Sequence, residues 1–294
     1  MDLLDTFRAL PVFYVGTALI FGLMVGSFLN VVVHRLPKMM EADWRQQCLE
    51  FLHPEEVEKE AVKPKAEYSL VVPRSACPTC GHKITALENI PILSYAFLRG
   101  RCAACQTPIS IRYPIVEALT GLLTAYIAAH FGVTWTAAFA VLFTWAMVAL
   151  AFIDADTTLL PDDITLPLLW LGLLVNIDGL FIPVSSAVIG AASGYLLLWS
   201  VFWAFKLITG KEGMGYGDFK LLAAIGAWLG WQMLPLVILF SAAVGAVVGV
   251  AGILLKGRDK GAKLPFGPYL AAAGLIALIW GTQLNTWYLG RAAG

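Results

Sequence analysis

The sequence predicts an all-α polytopic membrane protein of about eight transmembrane helices, with a small cytoplasmic domain between helices 1 and 2. Three observations predict it. Hydrophobic residues make up 59% of the 294 and charged residues 14%, and the mean hydropathy is +0.75; soluble domains carry about 25% charged residues. Charge-free runs recur along the chain at lengths near the roughly 20 residues a bilayer demands. The 20 lysines and arginines are gathered into a few segments between those runs. This composition excludes an ordinary cytosolic enzyme, a disordered chain and a nucleic-acid binder. The formal net charge of zero gives no global field for a polyanion.

The first run, residues 9–33, follows MDLLDTFR, which has two acids, one Arg and no small-residue cleavage site after it. It reads as a retained span rather than a cleaved signal. Residues 118–153 are too long for one crossing and break near His130–Trp135, giving spans at 113–131 and 133–153. Residues 164–182 and 185–206 supply two more. The run 221–255 breaks at Gln232–Pro235 into spans at 219–231 and 234–255, and 264–290 is the last. Eleven cations lie in 35–112, three at 206, 211 and 220, and four at 256, 258, 260 and 263. Eight spans put all three groups on one side, which the positive-inside rule makes the cytoplasm, with both termini opposite. A single crossing by 221–255 would split those groups. His34 and Arg35 close the first span, either as snorkelling anchors or in contact with substrate or the polar domain. The ten tryptophans, Trp231 and Trp287 among them, suit interfacial belts. Asp178 falls at the far membrane surface.

The organisation expected is therefore residues 1–34 as the first membrane helix, 35–112 as a cytoplasmic domain and 113–294 as a membrane core. Residues 41–67 are acid-rich and read as a solvated helical linker broken at Pro54 and Pro64. Beyond them, Cys77, Cys80, Cys102 and Cys105 form two C-x2-C pairs, a spacing that wraps four thiolates round one tetrahedral zinc. Disulfides are the competing reading, and a reducing cytoplasm disfavours them. Four thiolates leave no open position for water, so the zinc is structural. Gly81 suits the turn after the first pair. Cys48 has no partner in sequence, His82 is not needed as a ligand, and no internal repeat is evident.

Acids near apolar runs need a reason. Asp154, Asp156, Asp162 and Asp163 lie between the third and fourth spans, and Asp218 lies among Gly213, Gly215 and Gly217 before the sixth. All fall on the cytoplasmic side. Two carboxyls sharing a site cannot both ionise cheaply, so one acts as base on water while the other, protonated, polarises a carbonyl. The glycines would give φ freedom and remove side chains, letting backbone or substrate approach Asp218 closely. Asp162 and Asp163 equally suit helix N-caps. Spacing alone leaves Asp154 and Asp218 as either a catalytic pair or loop carboxylates. Glu117, early in the second span, is expected to pair with Arg112 or to line a substrate cleft.

Further motifs narrow the choice. GMGYGDFK (213–220) resembles the GxGD signature of membrane aspartyl proteases. GSFLNVVVHRLP (26–37), SLVVPRSACPTCG (69–81), ENIPILSYAFLRGRC (88–102), ISIRYPIVEALTG (109–121) and IDADTTLLPD (153–162) together resemble the bifunctional type IV prepilin peptidases. The resemblance covers nearly the whole chain. It implies a bacterial inner-membrane enzyme, multi-pass, with its active site facing the cytoplasm. Such an enzyme cleaves the short basic leader of type IV prepilins and pseudopilins after a glycine. It then N-methylates the new terminal residue, usually phenylalanine, using S-adenosylmethionine. It implies Asp154 and Asp218 as the catalytic pair, the four cysteines as a feature of bifunctional members, and Gly100 as the methylation-linked glycine. No methyl-donor motif is readable by spacing. The competing reading is a proton-coupled transporter with a regulatory zinc domain; both acids at one face, rather than at mid-bilayer, argue against it. A zinc-bearing scaffold is the third.

Overall fold

The computed structural model describes residues 3–52, 68–256 and 264–292. It is helical throughout, and no strand longer than an isolated bridge occurs among the described residues. In chain order the helices are α1 (Leu3–Ala9), α2 (Pro11–Leu52), α3 (Leu93–Phe97), α4 (Arg112–Phe131), α5 (Trp135–Thr157), α6 (Asp162–Val175), α7 (Val184–Thr209), α8 (Tyr216–Leu229), α9 (Leu234–Lys256) and α10 (Gly267–Ala292). Six of them are long and apolar enough to cross a membrane: α2, α4, α5, α7, α9 and α10. The expected spans at 164–182 and 219–231 are α6 and α8, each of 14 residues. At about 1.5 Å per residue, each is about 21 Å long, short of the roughly 30 Å hydrocarbon layer.

The breaks expected in the over-long runs are present. Gly132, at φ +65°, ends α4, and Thr134 caps α5 by accepting from the Ala137 N–H at 3.1 Å. Gly230, at φ +83°, ends α8 before α9 begins. At the other end of α6, the cap differs from expectation. Pro161 is the N-cap, and Asp162 and Asp163 are the first helical residues. Asp162 instead accepts from Lys220 Nζ at 2.7 Å on both carboxylate oxygens.

The chain divides into two compact units, Met1–Ala18 with Leu123–Gly294, and Leu19–Leu122. In the first, α8 is the centre: from Asp218 to Leu229 every residue except Lys220 is buried. A helix enclosed on all sides needs neighbours that come to its backbone. A Cβ on Gly190 or Gly226 would strike the carbonyl oxygen of the other, and one on Gly194 would meet Leu222 O at 2.7 Å. Small residues thus bring α7 against α8, as in membrane helix pairs. Trp228 is fully buried on the opposite side, donates to Leu168 O at 2.8 Å, and fits because Gly172 has no side chain. Asn176, also fully buried, donates to Ala227 O and Trp228 O and accepts from the Phe181 and Ile182 N–H groups. It satisfies the carbonyls that the end of α8 leaves open.

In the second unit, α2 runs on past the expected end of the first span to Leu52, with Pro37 inside it. Residues 41–52 of the predicted linker are helical, and the rest of that prediction, 53–67, lies outside the described residues. Arg35 is not a snorkelling anchor. It is buried and donates to Ser69 O at 2.8 Å and Pro73 O at 2.6 Å, with Tyr68 stacked 5.5 Å from its guanidinium. His34 is exposed and lies 2.9 Å from Lys38 Nζ. Glu117 takes a structural part: it is buried, accepts from the Ile92 N–H at 2.8 Å and bonds Ser27. The second turn of α4 comes this close to α2 because Gly26 has no side chain; a Cβ there would sit 2.7 Å from Glu117 Cα.

Gly226→Ala should lower stability by about 3 kcal/mol, because its Cβ meets backbone that cannot rotate aside. Gly16→Ala, with nothing within 4 Å of the added atom, should be neutral or stabilising by up to about 1 kcal/mol. Unfolding of the two variants in detergent checks both; equal stabilities would contradict the packing argument.

Candidate active site

Asp154 is the fourth residue from the end of α5. The Thr158 N–H closes the helix on Asp154 O at 2.8 Å, with Thr158 itself in the left-handed region at φ +54°. The Asp154 side chain is 4% exposed and accepts from the Gly267 N–H at 2.8 Å through Oδ2. Asp218 is the third residue of α8, where the unpaired amides and dipole of a helix N-terminus favour an acid. It is 7% exposed, and its Oδ1 is buried with no hydrogen-bond partner among the described residues. A carboxyl oxygen so placed is left to a group from outside the chain. The two acids, 64 positions apart, lie close enough for the charge of Asp154 to act on Asp218. Asp156, Asp162 and Asp163 are exposed, as is Asp178 in the turn after α6.

Of the two roles expected for the glycines before Asp218, close approach is seen and φ freedom is not used. Gly213, Gly215 and Gly217 are not among the positive-φ residues. What matters is their missing side chains. A Cβ on Gly217 would lie 2.7 Å from Leu160 Cβ, and one on Gly213 would lie 2.9 Å from the Phe205 ring. The loop after Asp154 therefore lies directly on the start of α8. The Asp162–Lys220 pair ties the same two segments at their exposed edge. Lys220 and Gly267 were not singled out from sequence. Lys220 stands two residues after Asp218 and was legible there; Gly267 is 113 positions from its partner, and nothing local marks it.

The four cysteines Cys77, Cys80, Cys102 and Cys105 converge, their sulfurs all within 4.8 Å of one another. Cys77 and Cys105 are 3.8 Å apart and Cys80 and Cys102 are 4.0 Å apart. Sulfurs about 2.3 Å from a common tetrahedral centre would be about 3.8 Å apart, whereas a disulfide needs about 2.05 Å. The donor set fits a metal. Hydrogen bonds from the Thr107 hydroxyl and then its backbone N–H help hold the Cys105 thiol at about 6, below its usual 9.0. Cys48 is exposed and is not one of the four. His82 turns to Glu88, 3.1 Å away.

The two cysteine pairs form a repeat that the sequence conceals. In 75–84, Cys77 N bonds His82 O, Gly81 N bonds Cys77 O and Ile84 N bonds Ser75 O. In 100–109, Cys102 N bonds Thr107 O, Gln106 N bonds Cys102 O and Ile109 N bonds Gly100 O. Each has one antiparallel bridge, Ala76 with Lys83 and Arg101 with Pro108. Gly81 (φ +71°) and Gln106 (φ +59°) occupy the same left-handed turn. Gly100 opens the second copy at φ +69°, and a Cβ there would lie 2.9 Å from the Tyr95 ring. Its glycine is required by backbone conformation and by that ring.

Residues 20–131 match the family model of the bacterial peptidase A24 N-terminal domain, and residues 141–250 match the type IV leader peptidase family. Among curated proteins, the chain is similar to prepilin leader peptidase/N-methyltransferases. That of Aeromonas hydrophila is 56% identical over 287 residues, that of Aeromonas salmonicida (strain A449) 55% over 287, and that of Pseudomonas aeruginosa 55% over 289. Each alignment covers 98% of both chains. No solved structure matches. The transporter reading finds no support in these relatives.

Proposed function

The chain belongs to the prepilin leader peptidase/N-methyltransferase family, and from that membership we propose how its residues divide the two reactions. It is a bifunctional membrane enzyme that removes the leader of a prepilin and methylates the new amino terminus. The family and the six long apolar helices among the described residues point to an inner-membrane protein. The proposal goes further on four points: the catalytic pair, the direction it faces, the metal and the residue linked to methylation.

Asp154 and Asp218 carry hydrolysis. One carboxylate takes a proton from water, and the water oxygen attacks the peptide carbonyl. The other, protonated, gives its proton to the carbonyl oxygen. The gem-diol intermediate collapses as the carboxyl that took the water's proton passes it to the leaving nitrogen and the other carboxylate recovers a proton from a gem-diol hydroxyl, which frees the leader and restores the pair's single proton. The observation that carries this is the convergence of two buried acids from separate helices, one with an oxygen that no group among the described residues satisfies. The cation distribution favours a cytoplasmic orientation, where a basic leader meets the apolar helix of prepilins and of secretion pseudopilins alike.

The domains follow the same division: residues 1–34 as the first membrane helix, 35–112 as the cytoplasmic part serving methyl transfer, and 113–294 as the protease core. Cys77, Cys80, Cys102 and Cys105 would hold one zinc, which crosslinks the two knuckles and offers no site to water. S-adenosylmethionine, the donor that the methyltransferase activity implies, would supply the methyl group. Gly100 acts as a positioning residue: its contact with Tyr95 sets the shape of the second knuckle.

Purified enzyme incubated with a prepilin and the methyl donor, with products followed by mass, tests the pair. Asp154→Asn and Asp218→Asn should each slow leader removal about a thousandfold, and native cleavage by either variant would sink the assignment. Gly100→Ala should keep cleavage and lose methylation; loss of both would mark damage to the fold instead. Metal analysis should give one zinc per chain, and metal-free protein with mixed disulfides would overturn both the ligand set and the cytoplasmic orientation.

A further inference from the structure

We propose that Gly267, at the start of α10, is the positioning residue for Asp154: its backbone N–H fixes one carboxylate oxygen, and its missing side chain makes room for that carboxylate. This rests on the assignment of Asp154 as catalytic. The hydrogen bond from Gly267 N to Asp154 Oδ2 is 2.8 Å and buried. A Cβ at Gly267 would lie 2.7 Å from Oδ2, 3.0 Å from Cγ and 3.1 Å from Cβ of Asp154. Both contacts fall on the same carboxylate, so any larger residue would push on the group that the amide holds.

The local sequence leaves this amide free for the task. The opening amides of a helix have no acceptor within it. In PFGPYL (265–270), Pro268 has no N–H, and Tyr269 N and Leu270 N both bond Phe266 O, at 3.1 and 3.2 Å. Gly267 N turns to Asp154 instead. The positive end of the α10 dipole is directed at the same oxygen. Leu270, Ala271 and Ala273 are buried in the hydrophobic core shared with Met147 and Leu150 of α5, so both partners are held by packing. Oδ2 is thereby committed to the protein, which fixes the orientation of the carboxylate. Asp154 and Asp218 approach from separate helices, and the α10 amide prevents the first from rotating out of line.

The test uses full-length enzyme in detergent. Gly267→Ala should lower kcat for leader removal about a hundredfold, the effect of a misplacement near 1 Å, with KM within twofold and methylation of pre-cleaved substrate unchanged. Gly274→Ala, on the same helix, where the added atom crowds the buried Ile225 side chain (Cδ1 at 3.0 Å, Cγ1 at 3.2 Å) and neither acid, should keep kcat within twofold even if it costs stability. A native kcat in Gly267→Ala, a change in KM alone, or an equal fall in both activities would overturn the proposal. A second measurement needs no Gly267 variant. With glycine 15N-labelled, the Gly267 amide proton should resonate downfield in native enzyme and move upfield in Asp154→Asn; an unmoved resonance would likewise overturn it. Cleavage lost in Asp154→Asn but native in Gly267→Ala would refute Gly267 alone, whereas native cleavage by Asp154→Asn would refute the catalytic pair.

Discussion

The membrane unit depends on enclosing a short helix completely. α8 is 14 residues long and buried from Asp218 onwards apart from Lys220, so it has almost no surface of its own. Lipid provides little hydrophobic drive between apolar helices, and close packing has to replace it. The glycines of α7 and α8 provide that packing at backbone distance, and Trp228 fills the other side beneath Gly172. Asn176 closes the open end of the helix. An acid at the start of such a helix is held in place by the whole unit rather than by its own loop.

The same enclosure explains why the acids can pair. Asp154 ends one helix and Asp218 begins another, and each would be solvated if its element stood alone. The loop between α5 and α6 lies on Gly217, which brings the two ends together, and Asp162 with Lys220 closes the exposed side. That ion pair is worth at most about 1 kcal/mol where solvent reaches it. Its contribution is register between the two segments, while burial carries the energy.

The cysteine unit is organised differently. It has little apolar core, and its order comes from hydrogen-bonded turns repeated in 75–84 and 100–109. Arg35 fastens the carbonyls of Ser69 and Pro73 to α2, and Glu117 fastens Ile92 to α4. Charged groups near the expected membrane edge thus serve as buried fasteners for a segment too polar to fold by burial. A metal joining four sulfurs would supply the missing crosslink.

Helical membrane character, a break in each of the two over-long runs (the second found at Gly230, just before the expected Gln232–Pro235), the four-cysteine set and the two acids were all legible in the chain, because each is written locally. Hydropathy runs report lengths, glycines report turns, and C-x2-C reports two ligands on one turn. Tertiary structure decided the rest. Sequence could not separate an N-cap at Asp162 from an ion pair, since the partner, Lys220, is 58 positions away. It offered both φ freedom and close approach for Gly213, Gly215 and Gly217; only the fold selects close approach and names Leu160 and Phe205 as the groups that exclude a side chain at Gly217 and Gly213. The knuckle repeat was hidden because it lies in backbone hydrogen bonds shared by dissimilar residues. The Gly267 amide was invisible for the same reason: a main-chain donor is common to every residue but proline, and only the folded chain determines which carboxylate it meets.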